Sequence, residues 1–219
     1  MNDSQRTIHV GVAIAVGLAF TLGAGSMCAE EPALRLRAAA MGGGAPSAPW
    51  TIELFRWSSE AERAPLLAAL SAPPPAPPAA PPPAGRAAGR GGRGRGAAPP
   101  PSPLARLASA VKAAPTLGFI WGDGVTGYSI KYAWRASSGG TERIVLVTDR
   151  RLGAHAPDWA PASSAGTEAD FTLLEMQLSG KGVGEGKTSL TSAVVVDASA
   201  RTLALDGYAA APTMLKVTR

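Results

Sequence analysis

His155 is the only histidine beyond His9, so imidazole chemistry in the body of this chain has one place to start. Asp149, Asp158 and Asp170 lie near it in sequence, and any of them could orient its ring as the carboxylate of a Ser-His-Asp arrangement. No serine stands in a Gly-x-Ser-x-Gly turn, and a lone loop histidine is ordinarily a solvated side chain. Asp123, Asp149, Asp158, Asp170 and Glu175 could supply the carboxylate pair of a glycoside hydrolase, but no spacing among them sets the separation that reaction needs. Asp123, between Gly122 and Gly124, reads as a turn residue. One histidine falls short of the three ligands a catalytic zinc normally takes. His155 and Asp158 are therefore the weak catalytic candidates, and neither a metal nor a cofactor is expected.

Gly180 to Thr188 (GKGVGEGKT) resembles a phosphate-binding loop at first sight. Lys181 stands where the first glycine of a P-loop is required, and Leu190 to Val196 reads as a strand rather than the helix whose amides would face the phosphates. A hairpin loop is expected there, and no nucleotide.

Arg86, Arg90, Arg93 and Arg95 carry most of the formal net charge of +5 and lie in a tract without a single acid. They could attract a polyanion such as lipopolysaccharide, extracellular DNA or an acidic glycan. No aromatic residue interleaves them, so the expectation is a weak, salt-sensitive contact. Tyr128, Tyr132 and Trp134, beside Phe119 or Trp121 across a hairpin, could stack on sugars. The other side of that strand carries Ser129, Lys131 and Arg135, which makes the aromatic side the expected core.

The elements that must position these groups fall on either side of a low-complexity insertion. Residues 71–103 hold twelve of the twenty prolines and no large apolar side chain until Leu104. Such a segment cannot recover the entropy of ordering and is expected to be a disordered insertion. Before it, residues 30–49 are Ala/Gly/Pro-rich and read as a flexible lead, and Trp50 to Trp57 reads as a strand. Ser59 with Glu62 forms a capping-box pattern opening a helix with Leu66, Leu67 and Leu70 on its apolar side, although Pro65 falls inside it.

After the insertion, Ser102 and Pro103 suit the start of a second helix bearing Leu104, Leu107, Ala108 and Val111 at helical spacing. Strands are expected over Thr116–Trp121, Tyr128–Arg135, Arg143–Thr148, Phe171–Leu178, Leu190–Val196, Thr202–Leu205 and Thr213–Val217. Strands without regular helix alternation predict an α+β fold: a largely antiparallel sheet of about seven strands with two helices near the N-terminal side. Neither flank of the insertion could close a core alone, so residues 50–219 are expected to form one domain.

The first 29 residues have the layout of a signal peptide. Arg6 precedes an apolar run from Val10 to Ala24, and small residues follow at Gly25, Ser26 and Ala29. The run is shorter than the roughly 20 residues of a membrane-crossing helix. Cleavage after Ser26 or Ala29, or as a less favoured third fate lipid attachment at Cys28, predicts an exported, periplasmic or secreted product with no transmembrane span. Cys28 is the only cysteine, so a disulfide cannot staple the domain.

Arg56–Arg63, Gly127–Arg135, Glu142–Gly153, Phe171–Lys187 and Leu203–Arg219 together resemble a group of exported bacterial proteins without an assigned activity. The resemblance implies export and a single domain, to which the insertion is an addition, and implies no chemistry. The leading expectation is a noncatalytic binding or structural module of the cell envelope or extracellular space, its partner unknown. The alternative is an envelope-acting hydrolase using His155 or carboxylates of the 149–170 loop. Alanine at His155 and Asp158 separates the two.

Overall fold

Leu34, Leu36 and Ala38 are buried while Arg35 and Arg37 between them are exposed, and this alternation makes Leu34–Ala40 the first strand, β1. The computed structural model describes residues 31–41, 49–73, 100–122, 127–152 and 170–219. Residues 30–49, expected to be a flexible lead, thus contain a strand that pairs on both sides. It runs antiparallel to β2 (Trp50–Leu54) on one side and to β10 (Leu215–Thr218) on the other.

Around these close β3 (Gly118–Trp121), β4 (Tyr128–Ser138), β5 (Thr141–Thr148), β6 (Leu173–Ser179) and β7 (Val183–Thr188). The order β1-β10-β7-β6-β5-β4-β3-β2 returns on itself as a closed barrel, antiparallel at every seam. The expected α+β fold with an antiparallel sheet of about seven strands is therefore corrected to an eight-stranded antiparallel barrel. A two-stranded sheet of β8 (Val194–Asp197) and β9 (Thr202–Leu205) and two short helices accompany it. Closure hangs on β1, which joins strands that stand at opposite ends of the chain.

The barrel interior is filled. Leu36, Ile52, Leu54, Ile120, Ile130, Ile144, Leu146, Met176, Leu178 and Val217 are fully buried in one cluster, as expected when eight strands leave just enough room for side chains. A second apolar layer lies outside the barrel wall. There Tyr132, Val145, Val147 and Leu173 meet Leu66 of α1 (Glu60–Ser71), Leu107 and Val111 of α2 (Pro103–Ala113), and Leu203 and Leu205 of β9. Each fully buried Leu or Val contributes on the order of 1.5–3 kcal/mol. Ile144 to Thr148 are buried in succession because β5 is covered on both faces.

Local sequence explains the helices. The Ser59 side chain accepts the Glu62 N–H and the Glu62 carboxylate accepts the Ser59 N–H, a complete capping box. Pro65 neither ends nor restarts α1: it faces solvent, and its missing N–H removes a single bond. Ser102 caps α2 by accepting the Ala105 N–H.

The alternation of β4 breaks at a bulge between Ile130 and Tyr132. Tyr128 and Ile130 point into the barrel, whereas Tyr132 lies in the outer layer and Ala133 takes the inward place. The aromatic stripe expected on one face is therefore split between two cores. Among the described residues, no helix is long and apolar enough to cross a membrane.

Candidate binding surface

Among the described residues, the outer wall of the barrel is covered on one side only. Over β4, β5 and β6 the helices and the β8–β9 sheet seal it. A partly buried polar network fastens the hairpin there. Arg143 of β5 donates from Nε to Glu175 Oε1 at 2.7 Å and from Nη1 to Asp197 Oδ2 at 2.7 Å. Glu175, with its side chain 2% exposed, uses its other oxygen to accept the Leu205 N–H at 2.8 Å. Tyr132 Oη and Thr202 Oγ1 share a hydrogen bond of 2.6 Å beside it. The Arg143 guanidinium holds the Asp197 carboxyl far below the usual range, helped by Ser199 and the Ala200 N–H.

The opposite wall carries no helix among the described residues. Strand alternation turns Arg35 and Arg37 of β1, Thr51 and Glu53 of β2, Phe119 and Trp121 of β3, and Lys216 of β10 outward. The register sets them in rows: Arg37 opposite Thr51 opposite Trp121, and Arg35 opposite Glu53 opposite Phe119. Gly118 lets β3 close on β2, because a Cβ there would overlap the Glu53 carbonyl.

A shallow, open depression of about 500 Å³ runs across these rows, lined by Arg35, Leu36, Arg37, Thr51, Glu53, Trp121 and Arg219. Arg35 Nη2 pairs with Glu53 Oε1 at 2.6 Å. Arg219 pairs with Glu142 at 2.7 Å. Arg37 and Lys216 meet no carboxylate among the described residues. Phe119 stands 6.2 Å from Trp121 and 5.9 Å, edge-on, from Phe55, whose side is half exposed. Unpaired cations beside aromatic rings can hold an anion that also presents an apolar or ring face.

The sequence candidates are placed differently. His155, Asp158, Asp123 and the arginines Arg86, Arg90, Arg93 and Arg95 lie outside the described residues. Asp149, Asp170 and Glu175 are not brought together. Asp149 Oδ1 accepts the Ser129 N–H at 3.0 Å, Asp170 pairs with Lys112 of α2 at 2.8 Å, and Glu175 sits in the Arg143 network. Lys112 lowers the Asp170 pKa. No group of three histidine, cysteine or carboxylate side chains among the described residues could hold a metal.

The glycine-rich segment turns at Gly180–Gly182 and becomes β7. Gly182 adopts a φ of +73°, which the tight turn requires. Lys187 is bound to the Tyr208 carbonyl at 2.8 Å and lies against the Tyr208 ring, whose hydroxyl burial pushes well up in pKa.

Of the aromatic residues considered for sugar stacking, Tyr128 and Tyr132 are core residues, and Phe119 and Trp121 stand on the bare face. The residues that sequence reasoning missed are Arg35 and Arg37. Their signal was the Leu-Arg-Leu-Arg alternation itself, overlooked inside an Ala/Gly/Pro-rich stretch. Comparison of the chain with protein-family models, with curated proteins and with solved structures finds no match.

Proposed function

We propose that this chain is an exported, noncatalytic binding module of the cell envelope or extracellular space, and that the bare barrel wall is its contact surface. The observation that carries this reading is the two-sidedness of the barrel. One wall is sealed by α1, α2 and the β8–β9 sheet, while the other leaves Arg37 and Lys216 without a carboxylate partner among the described residues, on the same outward face as Phe119 and Trp121. The interior is packed with aliphatic side chains, so the chain's contacts are sought on its outside. The Arg86–Arg95 tract adds a weak, salt-sensitive attraction to polyanions. The apolar run before Glu30 supports export.

The test follows the native protein after cell fractionation. Mature protein beginning at Met27 or Glu30 should be recovered with envelope or extracellular material, and Arg37→Glu with Lys216→Glu should release it. Cytosolic protein that retains Met1 contradicts the compartment. Retention unchanged by the charge reversals contradicts the surface.

A further inference from the structure

We infer that the depression across β1, β2 and β3 is a subsite for an acidic polysaccharide, a uronic-acid polymer whose ring stacks on Trp121 while its carboxylate meets Arg37. The inference rests on the proposed reading of the bare wall as the contact surface and names the ligand class for it.

Four features of this wall select the chemistry. Trp121 forms one side of it and is partly exposed, so an apolar sugar face has a flat surface to cover. Arg37, two strands away across Thr51, has no carboxylate partner among the described residues and presents the forked donors that match a carboxylate. Lys216, opposite Ala39 and two residue pairs along from Arg37 opposite Thr218, extends the positive edge onto β10. Thr51 lies between cation and ring, and Glu53, paired with Arg35, lies in the next row; their oxygens can accept hydrogen bonds from sugar hydroxyls.

Glu53 also discriminates among anions. A nucleic acid would bring closely spaced phosphates against that carboxylate, and DNA has no hydroxyl along its chain to offer in exchange, whereas each ring of a uronic-acid polymer keeps two free hydroxyls beside its one charge. A bilayer surface would require several protruding apolar tips. Half-exposed Phe55 beside Phe119 is one such tip, whereas Trp121 lines the open depression.

The experiment titrates the mature protein with polygalacturonate, neutral dextran, oligo-dT and phosphatidylglycerol vesicles by calorimetry at two salt concentrations. Polygalacturonate should bind, dextran should not, and affinity should fall as salt rises. Arg37→Gln and Trp121→Leu should each weaken polygalacturonate by about tenfold, with an unchanged thermal transition. Trp121→Phe, which keeps a ring, should restore most of the loss even if the leucine variant folds poorly.

Tighter binding of oligo-dT or vesicles, lost in the same variants, overturns the polysaccharide while the contact surface stands. Polygalacturonate binding that survives Arg37→Gln and Trp121→Leu but is lost when Arg86, Arg90, Arg93 and Arg95 become glutamine overturns both. Absence of binding by every probe overturns the inference and leaves the surface to the fractionation test.

Discussion

Arg37 and Trp121 stand in one outward row of the barrel, separated by Thr51, which is opposite both of them on the intervening strand. A cation and an indole are thus held two strands apart by backbone register rather than by side-chain contact. The sheet register fixes the spacing of their backbone positions. The opposite wall of the barrel is covered by α1, α2 and the β8–β9 sheet, which a partly buried ion network fastens, so that among the described residues one wall is covered and one is bare.

That network should be energetically unequal among its members. Arg143→Met leaves Glu175 buried with only the Leu205 N–H as partner, and should cost about 3 kcal/mol of unfolding free energy. Asp197→Asn removes one partner at a more exposed position and should cost about 1 kcal/mol. Urea denaturation measures both. Equal losses would mean that Glu175 is not the residue Arg143 compensates.

Stability should fall in acid in a way these carboxylates define. Glu62 is held at about 2, against an ordinary value of 4.5, chiefly by the hydrogen bond from Arg56 and then by the Ser59 N–H. Asp197 is lowered too, first by Arg143. Depressed values in the folded state stabilise it above the ordinary carboxylate range, and that contribution disappears as pH falls toward 2. The thermal midpoint should therefore hold steady near neutrality and drop below about pH 4.5. Glu62→Gln with Asp197→Asn should start lower and show a shallower acid limb in scanning calorimetry.

The insertion should matter little to folding. Arg106 of α2 donates to the Ala72 carbonyl at 2.5 Å and to the Pro101 carbonyl at 3.1 Å, so both ends of the tract are already side by side. Deleting residues 75–98 removes chain whose closure cost changes by only ~0.6 kcal/mol per doubling of length. A shift of the thermal midpoint by only a few degrees is expected, about 2–4 °C per kcal/mol for a chain of this size. A collapse of the transition would mean that the tract packs.

Replacing His155 and Asp158 with alanine should leave polysaccharide or envelope binding unchanged. The same double variant in an ester and glycoside hydrolysis screen separates a module from an enzyme. Turnover by the parent protein that disappears in the variant would contradict a noncatalytic role.

Much of the local structure was legible in the residues. Ser59, Glu62, Ser102 and Pro103 announce two helix starts, and Thr202–Leu205 reads as a strand with the bounds it has. The barrel was not legible. Its closure depends on β1 pairing with β10, residues some 180 positions apart in the register Arg37 to Thr218, and no local pattern encodes that seam. Small alanines after Arg37 hid the strand further.

The second layer was equally hidden. Continuous burial in Ile144–Thr148 arises because helices and a hairpin cover the outside, and the bulge after Ile130 exchanges the faces of Tyr132 and Ala133. Alternation alone placed Tyr128, Tyr132 and Trp134 together. The site was missed for the same reason, since Arg37 becomes a neighbour of Trp121 only once β1, β2 and β3 pair.

The most direct test of the bare wall as contact surface is a map of amide chemical shifts during titration of the mature protein with polygalacturonate. Perturbations confined to β10, β1, β2 and β3, centred on Arg37, Thr51 and Trp121, are the predicted result. Perturbations centred on α1, α2 or the β8–β9 sheet, with those four strands unmoved, would contradict it.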